Sequence, residues 1–145
     1  MTGAANPWFR GDIGITDGRI VKIGCIKGES ADHVIDAHEL VVCPGFIDVH
    51  SHADFTISLL PSAESTLMQG VTTLITGNCG FSLAPTTPDT NALLRKGLSP
   101  FIPPEVHLEM PWSSFSTYLD TESTLDLAVN IGHLVGHGTI RIAVM

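Results

Sequence analysis

Residues 46–52 read Phe46-Ile47-Asp48-Val49-His50-Ser51-His52, an apolar strand that runs straight into polar groups with no turn between. Side chains alternate along a strand, so Ile47 and Val49 are expected on one face and Asp48, His50 and His52 on the other. Two imidazoles at i and i+2 aimed to the same side are what two ligands of one metal ion require. Taken alone, a His-x-His pair is more often two surface or hydrogen-bonded histidines than a metal site. The context raises it: the strand delivers both rings to its carboxyl end, with Asp48 on the same face and Asp54 just beyond.

Downstream, the chain repeats this arrangement. Pro61 to Gln69 is expected to be helical, with Pro61 suited to a first helical position and Gly70 to the residue just past the end. Val71-Thr72-Thr73-Leu74-Ile75-Thr76 is rich in β-branched residues and closes on Gly77-Asn78-Cys79-Gly80, a second strand ending in a tight polar loop. Residues 85–111 hold most of the prolines and little periodicity, an irregular excursion with one short helix near Ala92 to Lys96. Ser113 or Ser114 caps a helix through about Asp120, on which Phe115, Tyr118 and Leu119 fall at i, i+3 and i+4. A third strand, Leu127 to Val135, ends at Gly136-His137-Gly138. Strands alternating with helices imply βαβ units and a parallel sheet, and each strand here hands over to a loop bearing His or Cys. Chemistry at the carboxyl ends of parallel strands is the habit of the TIM (β/α)8 barrel, which needs eight strands and typically ~250 residues. About three strands are present in this sequence.

Upstream, Asp12 to Ile15 and Arg19 to Ile23 alternate polar and apolar residues around Asp17-Gly18, a β-hairpin. His33 to Ile35 and Leu40 to Val42 are expected to be extended before Pro44-Gly45 punctuates the chain. The fold class expected is therefore α/β: residues 1–43 form part of a small β-rich domain, and residues 44–145 form the first part of a barrel.

Composition narrows the class. The chain has 145 residues, 43% hydrophobic and 15% charged, enough apolar content for a buried core. Its formal charge of −8, without a basic cluster, argues against nucleic acid as a partner. No apolar stretch approaches the ~20 residues a membrane span needs and no signal segment opens the chain, so a cytoplasmic protein is expected. Cys25, Cys43 and Cys79 are odd in number and widely spaced, which suggests neither a disulfide framework nor a zinc knuckle.

The stretch Val42-Cys43-Pro44-Gly45-Phe46-Ile47-Asp48-Val49-His50-Ser51-His52-Ala53-Asp54 resembles the first-strand signature of the amidohydrolase superfamily. Gly70-Val71-Thr72-Thr73 and Gly77-Asn78-Cys79-Gly80-Phe81-Ser82-Leu83-Ala84-Pro85 resemble the second strand and loop of its N-acyl-D-amino-acid deacylase (D-aminoacylase) branch. Asn130 to Arg141, with Leu134-Val135-Gly136-His137-Gly138, is similar to that branch's third strand. The resemblance implies His50, His52 and Cys79 as ligands of zinc, in a centre of one or two ions. It also implies hydrolysis of the amide of an N-acyl-D-amino acid as the full-length reaction. Family members carry two further histidine ligands and a catalytic aspartate on later strands. No catalytic residue is therefore assigned in these 145 residues, which are expected to be an N-terminal fragment, incomplete on its own.

A thiolate is a strong zinc ligand, and a cysteine in a tight loop at a strand's end can point into a barrel mouth. The alternative for Cys79 is the usual fate of a free cysteine, a small buried hydrophobe; a Gly-flanked loop is a poor place for core packing and favours the ligand. For Cys25 and Cys43, among apolar neighbours, the buried-hydrophobe reading prevails. His137 is a candidate for the substrate cleft or for bonding a metal ligand, and equally for a histidine satisfied by backbone. Asp48 is expected to orient a neighbour and Asp54 to start the next helix. His133 is a candidate to face the barrel interior; His33, His38 and His107 have no motif around them, and none of these four is given a role. Trp112, Phe115 and Tyr118 are expected to be core anchors. Two other readings stand beside the deacylase: a cyclic-amide amidohydrolase of the dihydroorotase or hydantoinase kind, which commonly uses a carboxylated lysine, and a non-catalytic metal-binding fragment.

Overall fold

The computed structural model describes residues 1–28, 30–104, 106 and 108–145, so His107 lies outside the described residues. The chain divides into two compact units, Met1–Pro44 and Gly45–Met145.

In the first unit β1 (Asp12–Thr16) and β2 (Arg19–Gly24) form an antiparallel hairpin. Asp17 and Gly18 both take positive φ, 50° and 69°, the backbone a two-residue turn needs to match the twist of its strands. The extended pieces expected at His33 to Ile35 and Leu40 to Val42 are not strands. They pair with no strand among the described residues, and Leu40 N–H donates instead to Ala37 O across a local turn. A strand exists only where a neighbour takes its backbone groups, and the sheet of this unit ends at two strands. Cys25 and Cys43 are exposed, contrary to the buried reading, because this unit encloses no core of its own among the described residues.

The second unit carries a three-stranded parallel sheet in the order β3 (Phe46–Asp48), β4 (Val71–Thr76), β5 (Asn130–His133). Phe46 pairs with Val71, and Thr76 with His133, so the carboxyl ends of all three strands lie at one edge. β5 is shorter than the Leu127 to Val135 expected from its apolar run. The helix after β3 is also shorter: a 3-10 turn spans Ala53–Phe55, and α1 covers only Glu64–Leu67. Pro61 stays outside α1, because Ala63 sits in the left-handed region and interrupts the run. Then α2 (Asn91–Leu98), a 3-10 turn Ser99–Phe101, α3 (Phe115–Glu122) and α4 (His137–Val144) follow. Ser114 caps α3: its Oγ accepts from Thr117 N–H while Thr117 Oγ1 accepts from Ser114 N–H, a reciprocal box built with threonine.

Two apolar clusters hold this unit. Leu74 of β4 packs with Ile57, Ala63 and Val129. The larger cluster gathers Phe55, Leu83, Leu94, Leu98, Leu108, Met110 and Tyr118, with Trp112 and Phe115 partly buried against it, as expected of these aromatic anchors. The proline-rich excursion is thereby a packed layer, since Leu94, Leu98, Leu108 and Met110 all come from it.

Candidate metal centre

β3 stops at Asp48, so strand alternation does not carry through to His52; the backbone bends at Val49 and His50. The rings nevertheless come together, with centroids 5.7 Å apart. Local bonds fix this loop. Asp48 Oδ1 accepts from His50 N–H at 3.0 Å. Ser51 Oγ accepts from Ala53 N–H at 3.1 Å, and Ser51 N–H donates to Ile75 O at 3.0 Å.

Cys79 enters from the end of β4. Its φ of 56° is left-handed, an uncommon conformation for a residue with a Cβ, and such strain persists only where the surroundings over-determine it. They do so here. Gly77, at φ 76°, passes so close to β5 that a Cβ would stand 1.9 Å from Leu134 O. On the far side Gly80 O accepts from Gly138 N–H at 2.9 Å, and a Cβ on Gly136 would meet Gly80 O at 2.6 Å. Thr139 Oγ1 accepts from Ser82 N–H and donates to Ser82 O, both at 2.9 Å. The glycines around His137 are thus required by close backbone approach to the Cys79 loop. His137 itself is exposed at the start of α4, and its side chain makes no hydrogen bond among the described residues.

The result is a set of three donors. One ligand atom each from His50, His52 and Cys79 lies within 4.8 Å of the others, and His50 Nε2 is 3.2 Å from Cys79 Sγ. Among the described residues no carboxylate joins them. Around a tetrahedral zinc, with Zn–N ~2.0 Å and Zn–S ~2.3 Å, two such ligands stand about 3.5 Å apart, close to the 3.2 Å between His50 Nε2 and Cys79 Sγ. His52 packs beside Phe55 and Phe101, both at 5.6 Å, and its Nδ1 is buried with no hydrogen-bond partner. An orphaned interior nitrogen is costly, and two imidazoles with a thiolate suit zinc; the residues fit the group.

Behind this edge lies a polar network that no sequence motif announces. His133 does not face a barrel interior; its ring packs on α3, where Nε2 meets Glu122 Oε2 in a buried contact. Thr76 Oγ1 lies 2.7 Å from His133 Nδ1, and Tyr118 OH donates to Glu122 Oε1 at 2.9 Å. Burial, reinforced by the Glu122 carboxylate, holds the Tyr118 phenol well above its ordinary range, so it remains a donor.

Asp54 does more than start a helix: it is 2% exposed, and neither carboxylate oxygen has a well-formed hydrogen bond. Burial pushes its pKa from 3.8 up to about 6, against the lowering pull of His133 and of the Asp54 and Gly77 N–H groups, with Glu122 raising it slightly further. A raised acid is protonated in the fold but ionised in the unfolded chain between these values, so its penalty is absent below pH 4 and complete above pH 6. In chelator, Asp54→Asn is therefore expected to gain stability relative to the parent as pH rises from 4 to 7, by up to about 3 kcal/mol. Urea unfolding at several pH values measures this, and a difference that does not vary with pH refutes it.

The parallel sheet thus carries His-x-His after one strand and a cysteine after the next, with one ligand atom of each brought together. The sequence profile of the Amidohydrolase family matches residues 33–145, and the chain belongs to that family. Within it the similarity is to the deacylases of N-acyl-D-amino acids. N-acyl-D-aspartate deacylase of Alcaligenes xylosoxydans xylosoxydans is 38% identical over 145 residues, 100% of this chain and 28% of that protein. The crystal structure of N-acyl-D-glutamate deacylase from Bordetella bronchiseptica, complexed with zinc and a phosphonate mimic of the tetrahedral intermediate, superposes with a TM-score of 0.76. It shares 33% identity and covers 99% of this chain and 29% of that one. A D-aminoacylase structure that concerns the role of its binuclear metal center gives a TM-score of 0.76 at 37% identity, over 97% of this chain and 28% of that one. The chain spans less than a third of the length of these relatives.

Proposed function

We propose that His50, His52 and Cys79 hold zinc in an enzyme that hydrolyses the amide bond of N-acyl-D-amino acids. The observation that carries this reading is the convergence of the three ligand atoms within 4.8 Å at the carboxyl edge of adjacent parallel strands. Zinc bound there supplies Lewis-acid polarisation of the scissile carbonyl and lowers the pKa of water toward ~7. The protein's own residues do the rest. Asp48 and Ser51 fix the loop that aims the imidazoles, and the strained turn at Cys79 presents the thiol. Phe55 and Phe101 flank His52 and keep water from that side of the ring. The proton shuttle of such a reaction, worth ~10²- to 10⁴-fold, requires a carboxylate at the reacting water, and among the described residues no carboxylate oxygen joins the three converging ligand atoms.

The zinc-loaded relative and the D-aminoacylase with a binuclear centre support both the metal and a second ion next to these ligands. A cyclic-amide reading is disfavoured because a thiol, not a lysine, stands against His50. The test is a D-aminoacylase in which these 145 residues replace the corresponding segment. Release of free D-amino acid from N-acetyl-D-amino acids within about tenfold of the parent is expected, that being the effect of an error of ~1.4 kcal/mol in barrier. A zinc-loaded chimera that opens hydantoins but leaves linear N-acyl-D-amino acids intact overturns the reading.

A further inference from the structure

The two halves of the ligand set come from different loops, and one side chain ties them. The Asn78 amide nitrogen donates to Ser51 O at 3.2 Å and to Ile75 O at 2.8 Å. Ser51 is the residue between the two histidines, and Asn78 is the residue before Cys79. Because both partners are carbonyl oxygens, only the NH2 end of the amide can face them, so chemistry fixes its orientation. Ser51 N–H also donates to Ile75 O, and that carbonyl therefore gathers both loops at the end of β4. Besides the His50–Cys79 contact, the Asn78 amide is the hydrogen bond by which residues 77–80 hold Ser51 itself, while the Gly77 N–H faces the Asp54 carboxylate just beyond the histidines. The Gly80 carbonyl is held from the other direction by α4, and Asn78, next to Cys79 in the chain, ties the cysteine loop to the residue between the two histidines.

From this geometry we infer that Asn78 is a positioning residue for the metal ligands, governing the approach of Cys79 Sγ to the two imidazoles. The inference rests on the zinc reading above. Partners that orient ligands typically change metal affinity ~10- to 100-fold when removed. Asn78→Asp keeps the shape but turns a carboxylate oxygen toward two carbonyl oxygens; Asn78→Ala deletes the tie without repulsion.

The probe is Co²⁺ titrated into the 145-residue chain, with affinity read by chelator competition and the thiolate-to-cobalt charge-transfer absorption read per bound ion. In the parent chain this absorption is expected, and Cys79→Ser should remove it. For Asn78→Asp and Asn78→Ala, affinity is expected to fall about 10- to 100-fold, with a weakened or shifted charge-transfer band and unchanged far-ultraviolet circular dichroism of the metal-free chains. Unchanged affinity and absorption in both variants overturns the role of Asn78, as does weaker binding with the band per bound cobalt intact, or loss of the fold in both. Absence of cobalt binding or of the thiolate band in the parent chain overturns the metal reading itself, and the inference with it.

Discussion

Cys79→Ser is expected to weaken zinc binding by more than ~100-fold, because even the loss of a residue that merely orients a ligand costs ~10- to 100-fold. Cys79 is exposed, contributes to neither apolar cluster, and sits in a conformation that serine adopts at similar strain. The fold should therefore tolerate the change, with stability within ~0.5 kcal/mol as for other surface positions. What disappears is the thiolate, the softest of the three donors and the one that stands 3.2 Å from His50 Nε2. Competition against a chromophoric chelator at pH 7 measures the effect, and an affinity within tenfold of the parent would show that zinc, if bound, is held elsewhere.

The second large effect lies behind the sheet. Glu122→Ala is expected to destabilise the chain by ~3–5 kcal/mol, the cost of removing one partner of a buried pair. The side chains of His133 and Glu122 are 5% and 7% exposed. Deleting the carboxylate leaves the buried His133 Nε2 and Tyr118 hydroxyl without the acceptor they share. Total stabilities run to only ~5–15 kcal/mol, so this single contact separates a folded α/β unit from a marginal one. Urea unfolding with unchanged slope and a lowered midpoint is the expected signature; a loss under 1 kcal/mol would mean that solvent reaches the pair.

Where local rules suffice, the sequence is a sound guide. β4 is legible residue for residue from Val71 to Thr76 because its β-branched run is bounded by Gly70 and Gly77. The hairpin turn follows from Asp17-Gly18, and the convergence of His50, His52 and Cys79 is what spacing and family resemblance together lead one to expect. What escapes is tertiary. Nothing in Leu127 to Val135 says that the strand begins only at Asn130, since pairing with Thr73 decides that. The His133–Glu122 contact joins a strand to a helix across a loop, with no recurring spacing to mark it. Asp54 reads as a helix-starting acid, and only the tertiary fold, which sets it on one small cavity with Leu83, Trp112 and Tyr118, makes it a buried carboxylate. The expected strands at residues 33–35 and 40–42 fail for the converse reason: apolar pattern without a neighbouring strand to accept it.

The close approach of Gly136 and Gly138 to Gly80 carries a lesson for loop grafting. Residues 77–82 and 136–139 share backbone hydrogen bonds, a reciprocal Thr139–Ser82 pair, and contacts that admit no Cβ. They are far apart in sequence yet form one mechanical part. Transplanting the cysteine loop into another barrel without the glycine turn that braces it would carry the thiol across and leave its aim behind.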